Sequence, residues 1–258
     1  MNVVLNSNPM ASAPAHTTGN QGNGRLALAL GVAGALATAL SLPYSNRLLP
    51  GTALTGAWAA GASVLQGALV LALGWAGLRM GQSLGLDSPK LRALVGGPSV
   101  QNPRFARELA MATAAGAVLG ALILGAAFLL PLPKVPIPSV PRWMGLLASF
   151  GAPVIEEVVF RLFAMTMVAW VLQKITGHRA LSIVGGNVVA ALAFGAAHLP
   201  QGVMLFGSMS PALLSFALVG NGLVALACGY LFWKKGFECA MALHFGADLV
   251  LHVLAKAG

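Results

Sequence analysis

Long apolar runs divided by short polar connectors set the pattern of this chain. A helix that crosses a bilayer needs about 20 mostly apolar residues. Runs of that size cover roughly 25–43, 53–79, 108–130, 144–173, 181–199, 211–233 and 238–255. None of them alternates polar and apolar positions with a period of two, so each is expected to be helical and a barrel is not expected. The pattern predicts an all-α, polytopic transmembrane bundle of about seven spans, with an eighth as the alternative.

The fourth run is too long for one crossing. About 30 residues at 1.5 Å each give ~45 Å, against a hydrocarbon core of about 30 Å. Gly151-Ala152-Pro153 supplies a break, and a broken helix is expected there. Proline favours the first turn of a helix, which would put Glu156 and Glu157 near the positive end of the helix dipole. The connector at about 80–107 has room for a short interfacial helix, and the prolines between Pro131 and Pro141 prevent a continuous helix. Gly116-Ala-Val-Leu-Gly120 has the small-xxx-small form, read as close packing inside the bundle rather than as a dimer signal.

Composition places the ends and excludes some partners. Residues 1–24 carry no charge and are rich in small polar residues, so they are expected as a disordered N-terminal tail. Residues 25–143 then hold the N-terminal spans and the proline-rich connector, and 144–258 a second transmembrane unit. The run after Arg25 could instead be a signal peptide ending near Ala35-Leu36-Ala37. The leader lacks a basic segment, which favours a retained first span. The chain is 57% hydrophobic with a net charge of +9, and its basic residues lie between the apolar runs without aromatic interleaving. That excludes nucleic acid as a partner and suits anionic lipid head groups. Cys228 and Cys239 read as small core residues.

With seven spans, Arg25, Arg79, Lys90, Arg92, Arg104, Arg107, Lys174, Arg179, Lys234 and Lys235 share one side, and Arg47, Lys134, Arg142 and Lys256 the other. The excess of positive charge puts the N-terminus in the cytoplasm. The expected location is the bacterial inner membrane, as an integral protein.

Charge inside the apolar runs is the strongest functional signal. The only acidic residues are Asp87, Glu108, Glu156, Glu157, Glu238 and Asp248, and two of them sit with Arg161 in the fourth run. Each such charge costs about 2.5–3.5 kcal/mol even on the mildest insertion scales, so it defaults to a functional reading. Four residues advance a helix by about 400°, so Glu157 and Arg161 share a face within ~40° and can pair. Glu156 is turned ~100° away, which leaves it without this partner and available as a general base. Phe194-Gly-Ala-Ala-His198 ends the fifth span, its small residues leaving space beside the imidazole. His244-Phe-Gly-Ala-Asp248 puts a histidine and an aspartate one turn apart in the last span. His252 fits no pairing pattern and is read as a packing residue; His16 and His178 lie in loops.

Glu156-Glu157-Val-Val-Phe-Arg161, Phe194-x-x-x-His198 and His244-x-x-x-Asp248, in this order on successive spans, resemble the motifs of the CPBP family of membrane proteases. That family includes the type II CAAX prenyl endopeptidases and bacteriocin-immunity relatives. The resemblance covers roughly 144–255. Leu162 departs from the glycine that many relatives place after the arginine, and Asp248 stands where some have asparagine. An ionised aspartate cannot donate to an oxyanion, so Asp248 is protonated or orients His244.

The resemblance implies an intramembrane endopeptidase acting on a membrane protein or lipidated peptide. In it Glu156, assisted by His198, would activate water. His244 with Asp248 would stabilise the oxyanion, and Glu157, Arg161 and Phe194 would support them. No serine or cysteine sits in a comparable constellation. Zinc on Glu156, His198, His244 and Asp248 is the competing version, and the lack of a His-Glu-x-x-His motif favours a route without a cofactor. The third alternative is a scaffold or transporter using the Glu/His cluster as a polar relay. Counted along their own spans, His198 and His244 differ in depth by ~15 Å at 1.5 Å per residue, an offset the fold has to resolve.

Overall fold

A computed structural model describes residues 19–97, 102–132 and 138–254, and regular structure among them is helical throughout. In chain order it comprises α1 (Gly19–Leu48), α2 (Gly56–Gly81), α3 (Pro89–Leu94), α4 (Phe105–Leu129) and α5 (Arg142–Glu157). A π-helical stretch, Val158–Met165, leads into α6 (Thr166–Thr176). Then come α7 (Arg179–Ala197), α8 (Leu199–Phe206), α9 (Pro211–Ser215), a second π stretch (Phe216–Asn221), α10 (Gly222–Lys235), α11 (Phe237–Asp248) and a third π stretch (Leu249–Leu254).

Among the described residues, six helical segments are long and apolar enough to cross a membrane: Gly22–Leu48, Gly56–Leu84, Phe105–Leu129, Arg179–Phe206, Pro211–Lys235 and Phe237–Leu254. They coincide with six of the seven apolar runs. The remaining run, 144–173, lies within one continuous helical stretch, 142–176, that carries Glu156, Glu157 and Arg161.

The break expected at Gly151-Ala152-Pro153 does not form. Pro153 lies inside α5, and Glu156 and Glu157 end that helix instead of starting one. Proline removes one donor from the ladder, and inside a bundle this is tolerated because neighbouring helices and local π adjustments take up the freed groups. Here a π stretch opens five residues on, at Val158, and Gly151 lets α1 approach so closely that a Cβ would meet Ser41 and the Ala37 carbonyl.

Of the expected tail, residues 1–18 lie outside the described residues, and 19–24 belong to α1, where Asn23 is buried. The short helix expected in the second connector is α3. In the proline-rich connector, residues 133–137 lie outside the described residues, and 131, 132 and 138–141 are not helical.

The bundle is turned inside out relative to a water-soluble protein. Trp58, Val64, Leu65, Val118, Leu122 and Phe128 face outward, while Ser149, Glu157, Arg161, Thr166, His244 and Asp248 are buried. Such an apolar exterior fits a bilayer as solvent. α1 packs on α2 and α5, α2 on the first π stretch, α7 on α6 and α10, and α4 on α11. The α4–α11 contact is where Gly116-x-x-x-Gly120 acts, within the bundle. A Cβ at Gly116 would run into the Leu243 carbonyl, and one at Gly120 would stand 2.7 Å from the Ala247 carbonyl.

Most of the basic connectors meet at one end. Lys235 pairs with Glu108 at 2.7 Å, and the Arg179 guanidinium donates to the Leu84 carbonyl, 2.7 Å from Nε. Arg47, at the far end of α1, donates to the Ser139 carbonyl at 3.2 Å. At the basic end α10 turns into α11 through Gly236 alone, at φ +100°, a region that favours glycine. Phe237, Glu238 and Cys239 are already buried. Glu238 accepts from the Ser88 hydroxyl at 3.0 Å and from the backbone N–H groups of Lys90 and Leu91 at 2.7 and 2.9 Å. The last helix therefore starts inside the protein.

Candidate active site

The end of α5, the end of α7 and the middle of α11 converge on one carboxylate oxygen. Glu156 Oε2 stands 3.9 Å from His198 Nε2 and 3.7 Å from His244 Nε2. The expected ~15 Å difference in depth between the two histidines does not keep them apart, because α11 begins within the protein and both imidazoles reach toward Glu156. Both gaps exceed hydrogen-bond length. Glu156 Oε2 is buried and has no hydrogen-bond partner among the described residues.

Glu157 faces the other way and is fully buried. Its Oε2 lies 3.3 Å from Arg161 Nε, the pair expected from helical spacing. Its Oε1 accepts a 2.7 Å hydrogen bond from His244 Nδ1, a link across 87 positions that no local spacing announces. Glu157 therefore fixes the imidazole of His244 so that Nε2 faces Glu156, as carboxylates orient histidines in catalytic sites generally. Phe194 organises the remainder: Arg161 stacks on its face at 4.6 Å, and the rings of His198 and His244 lie 4.6 and 5.6 Å from it. The His198 Nδ1 is 2.8 Å from the Phe194 carbonyl, which turns Nε2 toward Glu156.

Asp248 Oδ2 lies 3.6 Å from His244 Nε2 and 3.9 Å from His252 Nδ1. His252, read from sequence as a packing residue, continues the spacing His244-x-x-x-Asp248 by one more turn. It also lies beside the Tyr44 ring at 5.1 Å. The repeated interval of four was the signal available for it.

These groups line a cavity of about 260 Å³. Glu156, His198, His244, Asp248 and His252 face it, together with Ser41, Tyr44 and Ser45 from α1, Gln201 from α8 and Asn221 from the second π stretch. The α1 residues carry no charge, so sequence gave no reason to place that helix at the site. The cavity extends toward the end of the bundle that holds the last turns of α1 and the start of α5, away from the basic connectors. Glu156 Oε2, Asp248 Oδ2 and His252 Nδ1 are buried without hydrogen-bond partners among the described residues. Buried polar atoms of this kind call for water or a polar ligand.

Members of the zinc set considered from sequence lie near one another, with Glu156 Oε2 3.9 Å from His198 Nε2 and 3.7 Å from His244 Nε2, and Asp248 Oδ2 3.6 Å from His244 Nε2. Among the described residues, the trio whose ligand atoms all lie within 4.8 Å of one another is Glu157, Cys228 and His244, not one drawn from Glu156, His198, His244 and Asp248. That trio is already engaged: Glu157 holds Arg161 and the His244 N–H, and the Cys228 thiol faces the Ala240 carbonyl at 3.6 Å. It does not fit a metal ion.

Residues 138–250 match the family model of the Rce1-like type II CAAX prenyl endopeptidases. The matched stretch contains Glu156, Glu157, Arg161, Phe194, His198, His244 and Asp248. No curated protein and no solved structure matches the chain.

Proposed function

With residues 138–250 forming an Rce1-like type II CAAX prenyl endopeptidase domain, we propose that the chain is an intramembrane endopeptidase whose Glu156 activates water with the help of His198. The observation that carries this reading is the unpartnered Glu156 Oε2, held between two imidazole nitrogens on a cavity wall. A water between Glu156 and His198 attacks the scissile carbonyl carbon and gives a proton to Glu156. The same proton passes to the leaving nitrogen as the C–N bond breaks, leaving a carboxylic acid and an amine, and the acid's proton then passes to the amine to give carboxylate and ammonium. His244 Nε2, when it carries a proton, donates to the oxyanion. Its orientation comes from Glu157 on Nδ1, with Asp248 beside Nε2. Arg161 and Phe194 hold Glu157 and the two rings in place, and no step uses a metal.

The substrate reading is a membrane-associated or lipidated peptide, because the catalytic groups lie inside an apolar bundle. In this reading seven spans cross the membrane, with 142–176 as the fourth, and the basic end faces the cytoplasm. The test is cleavage by the purified chain in proteoliposomes. It is given a prenylated CAAX peptide and its unprenylated twin, and the products are read by mass spectrometry. Release of the residues beyond the prenylated cysteine is the expected result. Intact peptide in both cases would contradict the proposal.

A further inference from the structure

At the opposite end from the catalytic cavity, α4 and α10 frame a second cavity of about 450 Å³, within the size range of ligand sites. Its α4 wall, with Arg104 just before the helix, is one helical stripe: Arg104, Arg107, Glu108, Met111, Ala112 and Ala115 follow each other at intervals of three and one. The α10 wall is another: Ala227, Tyr230, Leu231 and Lys235. Both stripes run from charged to apolar in the same sense, and Leu243 of α11 lies at the floor. From Arg104 to Ala115 the stripe is ~16 Å long at 1.5 Å per residue, about half of a ~30 Å hydrocarbon core. The groove thus spans one leaflet, with its cations at the membrane surface.

Among the described residues, neither the Arg104 nor the Arg107 guanidinium is in an ion pair or a hydrogen bond, whereas Lys235 is committed to Glu108 at 2.7 Å. Both arginines are exposed at the mouth. An apolar slot one leaflet deep ends in two guanidinium groups with no hydrogen bond among the described residues. The one carboxylate there, Glu108, which Arg104 also feels, is bonded to Lys235, and the mouth keeps a net positive charge that matches an anionic amphiphile. Basic pockets between membrane helices are a recognised form of phospholipid site, and guanidinium suits bidentate phosphate contacts. We propose that this groove holds one acyl chain of an anionic glycerophospholipid, with its phosphate on Arg104 and Arg107. The proposal is independent of the hydrolytic reading.

The test uses the purified full chain in a neutral detergent. It is titrated with phosphatidylglycerol, with phosphatidylcholine of the same acyl chains, or with inorganic phosphate, and followed by native mass spectrometry and thermal unfolding. One tightly retained phosphatidylglycerol that raises Tm is expected, with weaker phosphatidylcholine and no effect of phosphate. Arg104→Gln/Arg107→Gln lowers affinity about thirty-fold, the loss expected for two basic residues at a membrane surface. Ala115→Trp, which keeps both arginines and fills the slot, also abolishes retention. Arg142→Gln/Lys174→Gln, an equal charge change elsewhere, leaves it intact. Equal binding of the two lipids, a phosphate effect as large as the lipid's, or wild-type affinity in either groove variant overturns the proposal.

Discussion

Two adjacent glutamates with different surroundings are the key to this protein at the scale of the residue. Glu157 is fully buried, its Oε1 accepting from His244 and its Oε2 in an ion pair with Arg161, whereas Glu156 lines a cavity with both nearby imidazoles beyond hydrogen-bond length. Removing one partner of a buried ion pair costs about 3–5 kcal/mol, while replacing the pair by apolar groups of similar size is often neutral. Glu157→Gln should therefore lower the unfolding free energy by that amount, measured by equilibrium denaturation in mild detergent. Glu157→Gln/Arg161→Met should recover most of the stability yet remain inactive, because His244 loses the carboxylate that orients it. An active double variant would show that the His244–Glu157 bond has no part in catalysis. The Glu157–Arg161 pair was legible in sequence because both lie within one turn. The His244–Glu157 bond was not, since no periodicity links positions 87 apart.

Hydrophobic runs located the elements because a bilayer imposes length and apolarity on every span. They could not locate the fit between elements. Pro153 looked like a helix break in sequence, yet the chain stays helical through it and changes to π geometry at Val158, beside the glutamates. Stretches of this kind often occur at functional sites. The Gly116-x-x-x-Gly120 pattern was readable, and its partner turned out to be α11, which carries His244. Gly116→Leu should cost about 1–3 kcal/mol through overpacking and reduce cleavage by displacing α11. Gly125→Leu, on the same helix with open space around it, should leave both the unfolding midpoint and the cleavage rate unchanged. Equal behaviour of the two variants would sink the idea that α4 positions the catalytic histidine.

Over the whole molecule, charge is sorted to the ends and chemistry to the interior. Arg179, Lys235, Glu108, Glu238 and α3 lie at one end, while the cavity lined by Glu156 extends toward the other. A cytoplasmic basic end implies that Lys234→Cys is labelled by an impermeant thiol reagent only after the cell membrane is opened. Arg47→Cys should be labelled in intact cells. The native Cys228 and Cys239 are buried and add little background; the reversed labelling pattern would invert the topology. The central claim, that Glu156 activates the attacking water, is tested most directly by Glu156→Gln in proteoliposomes. Loss of a general base predicts a fall of about 10²–10⁴-fold in kcat, with the unfolding midpoint little changed because Glu156 Oε2 makes no hydrogen bond among the described residues. Wild-type cleavage by Glu156→Gln would contradict the account.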